Sequence, residues 1–325
     1  QKLTQNTLLS GVIDESPKRG GIIDMLGMKQ AKGIQLDWNR SNARRTASRT
    51  TIGGQLTWSD NVSYSQVSAA LKIFYDQTPL NNFVASVYDT HEDYEAQQLL
   101  ELRTGIVETI EDSFIFDDAD YDSSHITGLH HWAIDQTGTD GDIDEAESAL
   151  NISNVRTQMD YMRYGFDFFY MSFAMARAIE QFYEEGSSGA TNIMVGSYIY
   201  SGDSIGRRIP FWFGKEVRRS DYMTGETPNS GQGASTRAKD TGETNMSIFM
   251  ILKGTGAMNS EPGVNIGFGG DKNATGELFR TVFMPDLEDY DADGLRLTSY
   301  ITLMLGSSLG LGRIHDIEST TAIVA

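Results

Sequence analysis

The chain has 325 residues, 39% of them hydrophobic, which is enough to build one large globular domain or two ordinary ones. Its 26 basic and 45 acidic residues give a formal net charge of −19, which argues against nucleic-acid binding by the bulk of the surface. The absence of cysteine excludes disulfides, thiolate metal sites and a cysteine nucleophile.

We interpret the first 58 residues as two extended pieces. Residues 1–20 are polar and lack the periodicity of a core helix or strand, so they are predicted to form an N-terminal arm. In residues 21–58, apolar flanks around Trp38 and Trp58 enclose a polar segment, which predicts a long β-hairpin. An isolated hairpin is only marginally stable in water, so this one must lie on another surface.

The end of this hairpin carries the densest basic run of the chain, residues 40–49. The run contains four arginines and no acidic residue: Arg40, Arg44, Arg45 and Arg49. Because these are four of the 26 basic residues, the rest of the chain has 22 basic against 45 acidic groups. Two interpretations are open at this point. The arginines bind phosphate, or they meet carboxylates, for which the guanidinium group has bidentate geometry.

A strand and a long helix are predicted next. Residues 61–75 alternate apolar and polar side chains with one slip, which predicts a strand with a bulge. Apolar residues then recur at close to 3.6 spacing, which predicts an amphipathic helix over about residues 90–112. Thr90 and Asp93 have the spacing of a capping box at its start.

The second half of the chain predicts an α/β unit followed by returning strands. The acidic stretch 135–148 is expected to be a loop, and a helix begins near Ser153. The strand FDFFYM and a helix closed by Gly186 come next, with an aromatic and methionine cluster from Tyr161 to Met175 that we expect to be core. Further strands are predicted at residues 192–200, 209–218, 246–253, 277–284 and 295–305.

The candidate catalytic and metal sites are weak. Residues 289–294 resemble the start of an EF-hand loop, but Tyr300 stands where a bidentate Glu is required. The adjacent His130 and His131 do not form a metal-binding motif, and the glycine-rich stretch 267–276 does not match a phosphate-binding loop. The sequence therefore predicts no catalytic residues, no metal and no cofactor.

The order and character of the segments resemble the major capsid protein family of tailed bacteriophages, the Hong Kong 97 fold. Three stretches carry this resemblance: LLELRTGIVETIEDSFIFDDADYDSSHITGLHHWA, FDFFYMSFAMARAIEQFY and ELFRTVFMPDLEDYDADGLRLTSYITLMLGSSLGLGRIHDI. They resemble the spine helix with its following turn, the axial-domain strand and helix, and the returning strands. The resemblance covers about residues 20–317.

The resemblance implies an α+β fold with defined parts. These are an N-terminal arm (1–20), an extended loop (21–58), a peripheral domain with the spine helix (59–149), an axial domain (150–276), and return strands with the C-terminus (277–325). It also implies removal of an N-terminal segment, which Gln1 fits. Some members crosslink a lysine to an asparagine, but no position here can be assigned.

The function implied by the resemblance is structural rather than enzymatic. The chain would assemble with itself into hexamers and pentamers of an icosahedral phage head, a virion capsid enclosing double-stranded DNA without sequence-specific contact. A decoration protein and a portal are further partners that the family suggests. No apolar run approaches the roughly 18 residues of a membrane span, so no membrane partner is expected. The alternatives are an encapsulin-type shell with a protein cargo, or an acidic α+β enzyme using carboxylates.

With this resemblance, the arginine run is better interpreted as a subunit contact than as a nucleic-acid site. The residues predicted to contact a neighbouring subunit are Trp38, Arg40, Arg44, Arg45 and Arg49. The acidic remainder of each subunit supplies carboxylates for these arginines. Phosphate binding stays open if the tip of the loop faces the interior.

Overall fold

The structure is a computed structural model of the chain. It describes residues 17–31, 33–41, 46–56, 58, 62–83, 91–187, 198–202, 208–228, 237–256, 261–269, 278–288, 291–320 and 323.

Four α-helices lie in the described part of the chain: α1 His91–Phe116, α2 Leu129–Ile134, α3 Ile152–Tyr161 and α4 Phe173–Ser187. Helix α1 has 26 residues and is about 39 Å long. It ends later than predicted because Phe114 and Ile115 are fully buried, so its last turn packs into the core. The expected cap Thr90 lies outside the described residues. None of these helices is both long and apolar enough to cross a membrane.

The strands follow in chain order: β1 Gly27–Ala31, β2 Gln35–Ser41, β3 Tyr64–Ala70, β4 Lys72–Asn81, β5 Asp142–Ser148, β6 Phe168–Ser172, β7 Ile199–Gly202, β8 Arg208–Trp212, β9 Lys215–Ser220, β10 Glu226–Pro228, β11 Arg237–Lys239, β12 Asn245–Ile251, β13 Val264–Gly269, β14 Phe279–Met284, β15 Ala292–Leu305 and β16 Leu311–Glu318. They form a five-stranded sheet, a seven-stranded sheet and two two-stranded ribbons.

The five-stranded sheet is organised around β15. Strand β4 pairs antiparallel with its residues 292–301, and β14 and β13 pair antiparallel along the opposite edge. Strand β1 extends the sheet by pairing in parallel with β13. Leu295 and Leu297 are buried on one face of β15, where α1 packs, whereas Arg296 points to the other face. Because side chains alternate between the two faces of a strand, this alternation determines which face of β15 contacts α1.

The seven-stranded sheet has the order β5-β16-β12-β6-β9-β8-β7. Its central strand β6 is buried at every position, and so is most of β12. The predicted aromatic and methionine core is confirmed here: Phe166, Phe169, Met171 and Met175 are buried in a single cluster. Tyr164 is an exception, since it is exposed in the turn after α3.

The hairpin is paired differently from the sequence prediction. Strand β2 pairs antiparallel with β3, placing Trp38 opposite Val67, whereas the predicted second flank lay around Trp58. Residues 46–56 form no strand. Strand β3 supplies the alternating small and apolar residues that match β2, and the 46–56 segment does not, because its polar residues offer no buried face.

Other predicted elements need smaller corrections. The strand expected over 61–75 is divided at Leu71, so that β3 pairs with β2 and β4 pairs with β15. The acidic stretch expected to be a loop contains β5, because it pairs in parallel with β16. Helix α3 is capped by Asn151, whose side chain accepts a hydrogen bond from the Ser153 amide at 2.9 Å.

The strands predicted near the C-terminal end are confirmed as β12, β14 and β15. The strand predicted over 209–218 is instead two strands, β8 and β9, because a turn at Phe213 and Gly214 interrupts it. The predicted domain boundaries stay a prediction. Strand β16 lies in the seven-stranded sheet beside β12, although the sequence placed it with the return strands.

Candidate subunit interface

The ribbon β2–β3 is a separate two-stranded unit that packs against the core through Trp38, Val67 and Ala69. In the described part of the chain, no third strand pairs with it. Two-stranded ribbons are marginal in water unless they pack on another surface. The contacts between this ribbon and its surroundings therefore determine how stable it is.

The loop end of the ribbon, where Arg40 pairs with Ser65, is anchored to the same chain by Arg40. Its Nε donates to the Gly306 carbonyl oxygen at 3.1 Å and its Nη2 donates to the Leu305 carbonyl oxygen at 2.9 Å. Its Nη1 donates to Asp135 Oδ2 at 2.8 Å. The guanidinium group thus joins the ribbon to the end of β15 and to the residue after α2. Three donors in a fixed fork make this a contact that lysine cannot reproduce.

Aromatic contacts reinforce this anchor. Trp38 Nε1 donates to the Gly306 carbonyl oxygen at 3.1 Å, and its ring centroid lies 5.9 Å from that of Trp132. The Arg40 guanidinium lies 5.5 Å from the Trp132 ring centroid, within the range of a cation–π contact. These contacts lie within one chain. The expected contact of Trp38 and Arg40 with a neighbouring subunit stays a prediction.

We expect Arg40→Ala to destabilise the loop end of the ribbon. The Leu305 carbonyl would lose this side-chain donor, which costs about 1–3 kcal/mol for a buried acceptor, and the Gly306 carbonyl would keep only the donor from Trp38. Urea unfolding of the subunit should show this loss, and β2 amides should exchange with deuterium faster. Arg49→Ala is the control, because Arg49 is exposed. Equal stability of the two variants would contradict the anchoring role.

The tip of the extended loop is only partly described. Arg44 and Arg45 lie outside the described residues, and Arg49 is exposed on an irregular segment. The structure therefore separates the four arginines into one that is fixed within the chain, one that is exposed, and two whose positions are not described.

Large apolar side chains are exposed along the extended loop. Trp58 is 99% exposed and Ile34 is 84% exposed. The loop residues that share this property are Ile34, Ile52, Leu56, Trp58 and Tyr64. Single exposed apolar residues are common on protein surfaces, but several on one segment of the chain are typical of an interaction site.

A second exposed apolar group lies on β4. Ile73 and Tyr75 are exposed, whereas the alternating residues Phe74 and Leu80 pack toward the core. The period of two places Ile73 and Tyr75 on the face of the sheet opposite α1. Two separate apolar surfaces on one chain suit an assembly in which each copy has several neighbours.

A buried ionic network joins β16, β5 and α2, and the sequence interpretation missed it. Arg313 on β16 is fully buried and donates to both carboxylate oxygens of Asp142 on β5, at 2.7 and 2.9 Å. Its Nη1 also donates to the His130 carbonyl oxygen at 3.2 Å. These contacts join the seven-stranded sheet to α2.

The network continues through β10 and β11. His130 Nε2 lies 3.2 Å from Glu226 Oε2, and both side chains are 1% exposed. Arg237 Nη1 donates to Asp316 Oδ1 at 3.2 Å. Burial lowers the pKa of His130, although Glu226 opposes the shift. Burial, together with the charges of Arg313 and Arg237, lowers the pKa of His315 to about 2, so that ring is neutral.

Two groups of side chains bring three metal-ligating atoms together. One contains Asp144, His315 and Asp316, but there the Arg237 guanidinium already contacts His315 and Asp316. The other, also among the described residues, contains Asp118, Asp120 and His131, in which His131 Nδ1 lies 2.8 Å from Asp118 Oδ1. The expected lack of a metal stays a prediction.

A scan against protein-family models gives no match, and a search of curated proteins gives none either. Solved structures do match. A chain of the holo-SrpI encapsulin complex from Synechococcus elongatus PCC 7942 has a TM-score of 0.66 at 12% identity, covering 94% of this chain and 89% of that one. A capsid chain of a native GTA particle has a TM-score of 0.60 at 10% identity, covering 99% and 96%.

The capsid of the cyanophage P-SCSP1u gives a third match, with a TM-score of 0.55 at 11% identity over 96% of this chain and 92% of that one. At these identities the likeness concerns the fold. It extends over 94–99% of this chain in all three cases. The α+β, Hong Kong 97-type capsid fold predicted from the sequence is therefore confirmed as the fold of this chain.

Proposed function

We propose that this chain is the major capsid protein of a tailed-phage head, assembling with itself into the hexamers and pentamers of an icosahedral shell. The observation that carries the proposal is the match to capsid chains over 96–99% of this chain. A role as a shell subunit is structural, so no catalytic residues are assigned.

The exposed apolar residues of the extended loop support self-association. A loop with Ile52, Leu56 and Trp58 in solvent gains free energy when a neighbouring copy covers those side chains. The anchor at Arg40 fixes the position from which this loop continues after β2. A fixed position favours one repeated contact, and a repeated contact that closes produces a ring or shell.

The charge distribution supports an interior that does not adhere to DNA. The net charge of −19 repels phosphates, so packaged double-stranded DNA would be held without sequence-specific contact. We place the assembled protein in the virion capsid, with a portal and a decoration protein as further candidate partners. If the inner surface of the shell proved strongly basic, this part of the proposal would fail.

An encapsulin-type shell is the second candidate function, because one of the matching structures is an encapsulin complex. Its TM-score of 0.66 exceeds the 0.60 of the GTA capsid only slightly, so overall similarity does not separate the two. The contents of native particles distinguish the two candidate functions. Nuclease-protected double-stranded DNA would support the phage head, and a protein cargo without DNA would support the encapsulin.

Electron microscopy of the purified protein tests the assembly directly. We expect megadalton rings or closed shells by negative staining and by size-exclusion chromatography. A monomer or small oligomer at all protein concentrations and salt conditions would overturn the proposal and favour the acidic enzyme that the sequence left open.

We expect Arg44→Ala/Arg45→Ala to impair assembly more than subunit stability. The loss of two charge-assisted pairs worth about 0.7 kcal/mol each would weaken each subunit contact about ten-fold. Particle yield by sedimentation measures the effect. Arg156→Ala/Arg163→Ala is the control, since it makes the same change in net charge at two exposed arginines elsewhere. Unchanged yield and stability of Arg44→Ala/Arg45→Ala particles would count against the predicted subunit contact.

A further inference from the structure

Residues 17–26, the N-terminal strap, join the long helix to the seven-stranded sheet. Lys18 Nζ lies 3.0 Å from Glu108 Oε2 on α1. On the other side, the Arg19 amide donates to Asp221 Oδ2 at 3.0 Å, and the Asp221 amide donates to the Arg19 carbonyl oxygen at 3.0 Å. The strap thus bridges α1 and the segment that follows β9.

The close approach of the strap depends on its two glycines. Gly20 has a φ of +79°, and a Cβ there would overlap the Arg219 carbonyl oxygen. A Cβ on Gly21 would lie 2.3 Å from Glu111 Oε1. The sequence Gly20-Gly21 therefore lets the strap backbone reach a carboxylate that a larger residue would hold away.

Glu111 on α1 receives the strap. Its carboxylate accepts a hydrogen bond from the Ile22 amide at 2.6 Å and another from the Ile23 amide at 3.0 Å. Glu111 is 2% exposed, and Ile22 is fully buried beside it. The carboxylate thus caps the turn in which the Leu26 amide donates to the Ile22 carbonyl oxygen. In the docked state the carboxylate is buried and in direct contact with the strap backbone.

The lysines near Glu111 form ion pairs with other carboxylates rather than with Glu111. The titratable groups that face it from each packed element are Glu108 and Asp112 on α1, Lys18 and Asp24 on the strap, Tyr170 on β6, Asp221 and Tyr222 after β9, and Lys239 on β11. The two lysines are already paired, Lys18 with Glu108 and Lys239 with Asp112 at 2.8 Å. In the part of the chain that the structure describes, the hydrogen-bond donors to the Glu111 carboxylate are thus the two strap amides.

Burial raises the pKa of Glu111 to about 7, against the lowering effect of the two amide hydrogen bonds and with smaller additions from Asp24 and Asp112. An exposed glutamate titrates near 4.5. Between these values, the docked state binds one proton more than the undocked state. Its stabilisation is therefore complete below about 4.5 and is lost as the pH rises through about 7.

We propose that the strap is a pH-responsive latch, in which docking of residues 17–26 is coupled to proton uptake by Glu111. The latch holds the strap more tightly in mildly acidic solution and loosens it above neutrality. This inference concerns a single subunit and does not depend on the proposed shell.

Hydrogen–deuterium exchange of the full chain tests the latch. The readout is the protection factor of amides in residues 20–30, which corrects for the pH dependence of the chemical exchange rate. We expect protection in the wild type to fall about ten-fold between pH 6 and pH 8. In Glu111→Gln, which keeps the shape and removes the titration, we expect less than a two-fold change over the same range.

Glu108→Gln is the matched control, because Glu108 lies on the same helix and also contacts the strap, through Lys18. We expect it to lower protection while keeping the ten-fold pH dependence. A flat wild-type profile would overturn the proposal, whether or not Glu111→Gln folds. A ten-fold fall that persists in folded Glu111→Gln would do the same. Either result would leave the shell function untouched, since no assembled particle enters the measurement.

Discussion

The triple variant Ile52→Ser/Leu56→Ser/Trp58→Ser is expected to fold as a subunit and to form no shells. All three side chains are exposed in the isolated chain, so their replacement removes no contact of the described core. If a neighbouring copy buries them, each contributes about 1.5–3 kcal/mol, and their loss removes about 5 kcal/mol or more from every loop contact. That corresponds to more than about a thousand-fold in association.

Two measurements separate the effects on folding and on assembly. Circular dichroism and urea unfolding report the subunit, and size-exclusion chromatography with negative staining reports the particles. A conservative variant, Ile52→Leu/Leu56→Ile/Trp58→Phe, keeps the apolar character at the same positions and should retain assembly. Normal shells from the serine variant would show that the extended loop does not make the contact proposed for it.

We expect Arg313→Met to destabilise the subunit by about 3–5 kcal/mol. Removal of the guanidinium group leaves the Asp142 carboxylate, which is 2% exposed, without its bidentate partner. It also removes a donor to the His130 carbonyl oxygen. An isolated buried charge costs far more than an exposed pair contributes, because water no longer solvates it.

The double variant Asp142→Asn/Arg313→Met tests this explanation. Since it removes both charges, it should recover at least half of the lost stability. Arg218→Met is the control, because Arg218 forms a partly exposed pair with Glu216 at 2.7 Å and its loss should change stability by less than about 1 kcal/mol. The shift of the urea midpoint measures all three variants. If Arg313→Met and Arg218→Met shifted it equally, burial would not be the cause.

The sequence predicted best where one local pattern decides the structure. Helix α1 has apolar residues at helical spacing over several turns, so its existence did not depend on distant contacts. The core strand β6 and the helix α4 after it were predictable for a similar reason, since a dense apolar run must be buried whatever it packs against.

The pairing of the extended loop could not be predicted in the same way. The segment around Trp58 was predicted to pair with β2, whereas residues 64–70, which also contain apolar side chains, form its actual partner. The ladder in which Trp38 faces Val67 is a choice among long-range contacts. Such choices depend on what lies beside the ribbon, here the end of β15 and α2.

The arginine run shows most clearly which properties the sequence determines and which properties only the tertiary structure determines. By composition alone, the sequence established that a basic segment interrupts an otherwise acidic chain, and segment order led to the capsid fold. Only the tertiary structure showed that Arg40 binds Asp135 of its own chain while Arg49 is exposed. It also decided that Arg313 meets Asp142 across 171 positions of sequence. The physical reason is that charge is a property of a residue, whereas burial and partners are properties of its surroundings, which local sequence does not specify.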